Sequence, residues 1–143
     1  MKEFIFLIVL LILPTFAFAQ EGREPVKEEH PIDKFLGACI EKDSSTSGMS
    51  TCTDQAQEMW DVEMNKYYKL LMKMMDKEGK EKLRASQRSW IKFRDAEFEA
   101  TDSLYPHLGT MYTTLRASER LAIVKDRATT LRGYYEIWKT AKD

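Results

Sequence analysis

Histidine and cysteine, the residues that metal sites and nucleophilic catalysis use most, are scarce in this sequence. It has two of each in 143 residues, and neither His30 nor His107 has metal-site spacing to the cysteines. It also lacks a glycine-rich phosphate loop, and no serine, threonine or cysteine has a base at motif spacing. The residues therefore predict a protein that is not an enzyme and that uses no cofactor or metal.

An excess of one charge and long apolar runs are also missing. Lysine and arginine number 22 against 23 acidic residues, so no basic face for a nucleic acid is predicted. The one apolar run, Phe4 to Leu13, follows Lys2 and is too short for a confident membrane span. It leads to Ala17-Phe18-Ala19, a small-x-small ending typical of a secretory signal peptide. We therefore predict a signal peptide over residues 1–19, cleaved after Ala19, and a bacterial periplasmic or secreted protein without a membrane span.

The two cysteines, Cys39 and Cys52, are separated by a short polar segment. In an exported protein such a pair is most simply a disulfide. The rival interpretation, a redox or metal pair, is disfavoured because the spacing is not Cys-x-x-Cys and no histidine accompanies it. The sequence therefore predicts a structural disulfide.

Helical periodicity runs through most of the remaining chain, and no alternating strand pattern occurs. Residues 20–30 are polar and predict a disordered tail. The predicted fold class is all-α, a small bundle of three long helices plus a short N-terminal helix in a single domain, residues 31–143. The helices are expected from Pro31 to Ile40, from Ser47–Ser50 to Met75, from Lys80 to Ser103 and from Met111 to Lys139, with a break around Gly79 and a loop over 104–110.

The segment from Ser86 to Ala100 places two polar side chains on an apolar helical stripe. Gln87 and Arg94 share this stripe with Trp90, and buried polar groups are costly without partners. We expect Trp90 to be mostly buried between the second and last helices, and Arg94 to bond to another helix or to the loop near Gly109.

A polar network between helices would supply those partners. We expect Gln87 and Arg94 to form hydrogen bonds with Asp61, Asn65 or a backbone carbonyl. Arg127 lies beside the apolar seam of the last helix and could join this network. Such a network fixes the register of the helices. The alternative is that part of it lines a groove for a partner, and the residues leave both interpretations open.

These residues resemble the LprI family of small exported bacterial proteins, named after a lysozyme inhibitor. The resemblance covers about Cys39 to Leu131. It rests on the two cysteines, a Trp-Asp-x-x-Leu-Asn-x-x-Tyr pattern with methionine in place of leucine, a Gln-Arg-x-Trp-x-x-x-Arg-Asp pattern, a Gly-Thr-Met and a closing Arg-x-x-x-Leu. The matching positions are Trp60, Asp61, Asn65 and Tyr68, then Gln87, Trp90, Arg94 and Asp95, then Gly109 and Thr110, and finally Arg127.

The resemblance implies a helical envelope protein that binds lysozyme, or another envelope protein, and inhibits by occlusion. The alternative is a structural or stress-related envelope protein with no inhibitory activity. Many family members carry two further cysteines, and the corresponding positions here are Phe98 and Glu119. The resemblance therefore predicts that packing alone holds the third and fourth helices together.

Two other patterns have a plain structural interpretation. Asp95 and Glu99 stand four residues apart on a charged helix face, which is typical of surface charge rather than an acid–base pair. Five methionines follow one another at helical spacing in the second helix. They could form a soft copper site, but core filling is the favoured interpretation. The five are Met59, Met64, Met72, Met74 and Met75.

Overall fold

The computed structural model describes residues 28–105 and 109–141. The predicted signal peptide and residues 20–27 of the predicted tail lie outside these ranges. The described residues form four α-helices and no strand, so the predicted all-α bundle of three long helices and a short one is confirmed. The helices are α1 (Pro31–Lys42), α2 (Thr46–Met74), α3 (Lys77–Leu104) and α4 (Met111–Thr140).

Helix α2 begins earlier than the serine pattern predicts. The hydroxyl of Ser45 accepts the backbone N–H of Gly48 at 3.0 Å, which makes Ser45 the N-cap. Gly48 is buried in this first turn, where an added Cβ would lie 2.5 Å from the backbone oxygen of Asp43. The close approach of the α1–α2 loop therefore requires glycine at this position.

The break between α2 and α3 falls at Met75 and Asp76, slightly before the position predicted around Gly79. The Asp76 side chain accepts the backbone N–H of Gly79 at 2.8 Å and so caps α3. Gly79 therefore lies inside the first turn of α3. The sequence predicts a helix break at Gly79 because glycine has low helix propensity. The start of α3 is instead determined by the Asp76 cap.

Helices α2 and α4 form the most closely packed pair. They run parallel, because Ser50 bonds to Thr114 at one end and Tyr67 meets Tyr135 near the other. Small residues permit the close approach, since Ala56 and Ala128 are both fully buried between larger apolar side chains. The remaining core residues of the two helices are Trp60, Met64, Tyr67, Leu71, Leu121, Val124 and Leu131.

The apolar face of α4 is buried only as far as Leu131. Tyr135 packs against the edge of the core, and Trp138 is 40% exposed. Among the methionines of α2, Met64 is in the core and Met72 packs against it, whereas Met59 is exposed.

Helix α1 packs antiparallel against α2 and also touches α4. The Cys39–Cys52 disulfide joins one end of α1 to the beginning of α2, which confirms the predicted bond. At the other end His30 stacks on Trp60 with ring centroids 4.3 Å apart. Asp33 of α1 accepts from the Lys125 ammonium of α4 at 2.8 Å. These contacts fix α1 over the α2–α4 pair.

Helix α3 approaches neither α2 nor α4 as closely, and only Leu83, Gln87 and Thr101 are buried on it. Its C-terminal half is attached to α4 by Arg120. This guanidinium lies 5.0 Å from the centroid of the Phe98 ring and bonds to Asp102 at 2.6 Å. Nearby, Glu119 accepts the Tyr105 hydroxyl at 3.2 Å. Phe98 and Glu119, the positions of the further family cysteines, thus take part in non-covalent contacts of α3 with α4 and its preceding loop.

Reducing the disulfide should lower the free energy of unfolding by about 2–4 kcal/mol, because the bridge restricts the unfolded chain. Denaturant unfolding with and without reductant measures this loss. The Cys39→Ala/Cys52→Ala double variant is the control and should not respond to reductant. Free-thiol labelling of the unreduced native protein should find no thiol, and labelling of both cysteines would refute the bond.

Candidate functional site: a cleft between α2 and α3

Because α3 packs less closely than the other helices, a cleft of about 470 Å³ lies between α2 and α3. We call it the α2–α3 cleft. One wall comes from α2 positions spaced three and four residues apart, and the other from α3 positions with similar spacing. Each set therefore occupies one face of its helix. The lining residues are Asp61, Met64, Asn65 and Tyr68 from α2, and Arg84, Gln87, Arg88, Ile91 and Arg94 from α3.

Five of the residues singled out in the sequence line this cleft. Three belong to the Trp-Asp pattern of α2 and two to the Gln-Arg pattern of α3, so the two patterns face each other. The five are Asp61, Asn65, Tyr68, Gln87 and Arg94.

The other singled-out residues lie elsewhere. Trp90 and Arg127 adjoin the cleft on the side of α4, where the Arg127 guanidinium lies 5.9 Å from the Trp90 ring centroid. Asp95 is exposed on α3. Gly109, at a φ of 93°, and Thr110 precede α4, and the Thr110 side chain makes no cap hydrogen bond. The sequence motif therefore does not form one continuous site.

Trp60 faces away from the cleft and lines a second cavity of about 670 Å³, formed with His30, α1 and α4. Its Nε1 is buried and has no hydrogen-bond partner among the described residues. The Lys125 ammonium lies 5.4 Å from the Trp60 ring centroid. Both acidic and basic residues line this cavity, so its charge does not select one class of ligand.

The floor of the α2–α3 cleft is held by Gln87 and Arg127. The buried Gln87 amide donates to the Met64 sulfur at 3.6 Å, and its oxygen accepts Arg127 Nε at 3.0 Å. Arg127 also donates to Ser86 at 3.1 Å. Burial lowers the pKa of the Arg127 guanidinium from its ordinary value, although an arginine remains charged at neutral pH.

Asp61 and Asn65 were expected to bond to Gln87. They instead bond to each other. The Asn65 amide donates to the Asp61 carboxylate at 2.8 Å and to the Asp61 backbone oxygen at 2.9 Å, all within α2. The prediction was wrong because a side chain four residues away on the same helix is nearer than one on a helix that stands off.

Arg94 is likewise bonded locally rather than to another helix or to the loop near Gly109. It donates to the neighbouring Asp95 at 2.6 and 2.9 Å, and its guanidinium lies 5.4 Å from the Trp90 ring centroid. Trp90 is partly buried, against the edge of the core. The expectation of an inter-helix partner for Arg94 is therefore corrected, whereas most of the Trp90 side chain is covered, as expected.

Sequence reasoning missed Arg84 and Arg88, which line the cleft four residues apart. Both are exposed, and neither forms an ion pair or hydrogen bond with any described residue. They were overlooked because exposed arginines on a charged helix are common. The sequence signal that could have identified them is their spacing of three or four residues from Gln87 and Ile91. This spacing places the two arginines on the same face of the helix as Gln87 and Ile91.

The described residues therefore define a small, disulfide-linked all-α bundle with a polar, arginine-lined cleft. The chain belongs to the LprI family, since the model of the family described as lysozyme inhibitor LprI matches residues 39–131. The match runs from the first cysteine to the last core leucine of α4.

Among solved structures, the chain is similar to an uncharacterized protein from Burkholderia thailandensis, with 31% sequence identity and a TM-score of 0.74. The match covers 80% of this chain and 58% of that one, so the chain spans less than two thirds of that protein's length. The search of curated proteins found no significant match.

Replacing Arg127 should destabilise the protein more than replacing Arg94. Arg127→Ala leaves the buried Gln87 oxygen without its partner, which costs about 1–3 kcal/mol of unfolding free energy. Arg94→Ala removes a neighbouring ion pair with an exposed aspartate, which is worth about 0–1 kcal/mol.

Denaturant unfolding of both variants measures the difference. Arg127→Met is the matched control, because it keeps the apolar stem beside Trp90 and removes the guanidinium with its hydrogen bonds. A larger loss for Arg94→Ala than for Arg127→Ala would contradict the assignment of Arg127 as the residue that supports the cleft floor.

Proposed function

We propose that this is an exported binding protein that inhibits lysozyme by covering its substrate cleft, without chemistry of its own. Membership of the LprI family carries the proposal. The family match spans the disulfide, both walls of the α2–α3 cleft and the Arg127 that supports its floor.

Occlusion suits both the target and the scaffold. Lysozyme binds its sugar chain in an open cleft, where two carboxyl groups flank the glycosidic bond that is cleaved. A protein bound in this cleft excludes the sugar chain. Such an inhibitor needs a surface that is formed before binding, since ordering on binding would cost affinity. Packed helices with a floor held by the Gln87–Arg127 bond offer a surface of that kind.

Charge supports an encounter with a cationic enzyme. Residues 28–63 contain nine acidic residues against two lysines, a net charge of −7. They form α1, the α1–α2 loop and the first half of α2. These residues attract a cationic protein at long range and raise the association rate at low salt, whereas close contact with the acidic substrate cleft of that protein requires cations.

Export would bring the protein to the compartment where lysozyme acts. Within the described ranges, no helix combines the length and hydropathy that a membrane span requires. The N-terminal pattern ending in Ala17-Phe18-Ala19 supports cleavage after Ala19, which leaves a single helical domain over 31–143 preceded by a polar tail.

The intact mass of the envelope form should match a chain that begins at Gln20. Ala19→Asp is the control, because a charged residue at the cleavage position should block processing and yield the longer chain. A mass that retains residues 1–19, or one that carries a lipid adduct, would contradict the export proposal.

The mature protein should slow the loss of turbidity when lysozyme is added to a cell-wall suspension, with a dose dependence that saturates. The same protein after reduction and alkylation of Cys39 and Cys52 is the control and should inhibit less, because its fold is weakened. No effect at any concentration would exclude inhibition and leave the alternative, a structural or stress-related envelope protein.

A further inference from the structure

We infer that Arg84 and Arg88, on the rim of the α2–α3 cleft, dock against the paired carboxylates in the substrate cleft of lysozyme. This inference rests on the proposed function and assigns the inhibitory surface to one side of the bundle. It follows from the placement of charge along α2 and α3, from the lack of partners for these arginines, and from their spacing.

Charge is divided between the two ends of the α2–α3 hairpin. Residues 64–94 contain ten lysines and arginines against three acidic residues, a net charge of +7. They form the second half of α2 and the first half of α3, which lie side by side, as the bond between Gln87 and Met64 shows. The α3 wall of the cleft contributes Arg84, Arg88 and Arg94, whereas Asp61 is the one charged residue on the α2 wall, so the cleft lining carries more positive than negative charge.

The stability of the helices does not account for this arrangement in α3. In α2, Lys73 in the last turn complements the negative end of the helix dipole. In α3, the last turn has no basic residue and the cations lie in the first half instead. The charge order of α3 is the reverse of the one that the dipole favours.

Only the acidic half of α3 is compensated by its neighbours. Asp102 accepts from Arg116 at 3.4 Å and from Arg120 at 2.6 Å, both on α4. In the basic half, Arg84 and Arg88 have no such partner among the described residues. Arg84 and Arg88 are therefore the cations of the cleft lining that have no ion-pair partner among the described residues, since Arg94 is paired with Asp95.

The charged donors left available in the cleft lie on the α3 wall. The Asn65 amide donates to Asp61 and the Gln87 oxygen is occupied by Arg127. The guanidinium groups of Arg84 and Arg88 remain, each with a planar set of N–H donors that fits a carboxylate in bidentate geometry. Arginine in a cleft favours recognition of discrete carboxylates, whereas membrane-binding surfaces also require apolar groups that insert.

The spacing of the two arginines fits the proposed target. Residues four apart on a helix have Cβ atoms about 5–6 Å apart. In retaining glycosidases, of which lysozyme is the type case, the two catalytic carboxyl groups are about 5–5.5 Å apart. Two guanidinium groups on one helix ridge can therefore meet both carboxylates, with the partly exposed Ile91 packing beside them.

The test compares two double variants that remove equal charge. Arg84→Gln/Arg88→Gln removes the proposed docking pair. Lys92→Gln/Arg132→Gln is the matched control, since both residues are exposed, outside the cleft, and without an ion pair among the described residues. Thermal unfolding checks that both variants fold as the wild type does.

The lysozyme dissociation constant should rise at least about tenfold for each arginine removed, and less than about threefold for the control. A chitooligosaccharide bound in the lysozyme cleft should compete with the wild-type protein. Lysozyme with both cleft carboxylates changed to amides should bind the wild type and Arg84→Gln/Arg88→Gln equally weakly, because the interaction is already lost.

The outcomes separate the two proposals. If the wild type neither binds nor inhibits lysozyme, the proposed function fails and the docking assignment fails with it. If the wild type inhibits and Arg84→Gln/Arg88→Gln inhibits equally well, the function stands and the assignment is overturned. Loss of binding to vesicles of anionic phospholipid in that variant, with lysozyme binding unchanged, would also overturn it in favour of a membrane surface.

Discussion

The close packing of α2 against α4 determines where a binding surface can form. Ala56 and Ala128 are fully buried at this contact, and the absence of a larger side chain lets the two backbones approach. Because the two helices are parallel, the chain must return along α3, whose own stripe carries larger and more polar side chains. Helix α3 therefore stands off, and the space between it and α2 is the cleft.

A cleft formed in this way needs support, since few apolar contacts hold its outer wall. Gln87 supplies part of that support by reaching Met64 on α2 while accepting a hydrogen bond from Arg127 on α4. One buried amide thus joins all three long helices. The residues of the two family patterns divide accordingly: Gln87 and Arg127 hold the wall in place, while Asp61, Asn65 and Tyr68 line the surface that it creates.

The architecture could be predicted from the sequence because periodicity reports which face of each helix is buried. Helix number and type follow from that pattern, whereas the disulfide follows from the presence of two cysteines in a chain predicted to be exported. Side-chain partners did not follow, because periodicity carries no information on how far apart two helices stand. Gln87 and Arg127 are 40 residues apart in sequence, whereas Asn65 and Arg94 found partners on their own helices. Arg84 and Arg88 were missed because only the structure distinguishes a cleft rim from an ordinary charged face.

The same division explains how α3 can be held to α4 without a second disulfide. Phe98 and Glu119 lie toward the end of α3 that Arg120 attaches to α4 through the Phe98 ring and Asp102. Gln87 and the arginine rim lie in the other half of α3, about two and a half turns or more from Phe98 along the helix. The attachment of α3 to α4 and the arginines of the cleft rim are thus placed in different halves of one helix. A covalent link can be exchanged for ionic and aromatic contacts at one end because the geometry of the cleft is set by the Gln87–Arg127 bond at the other.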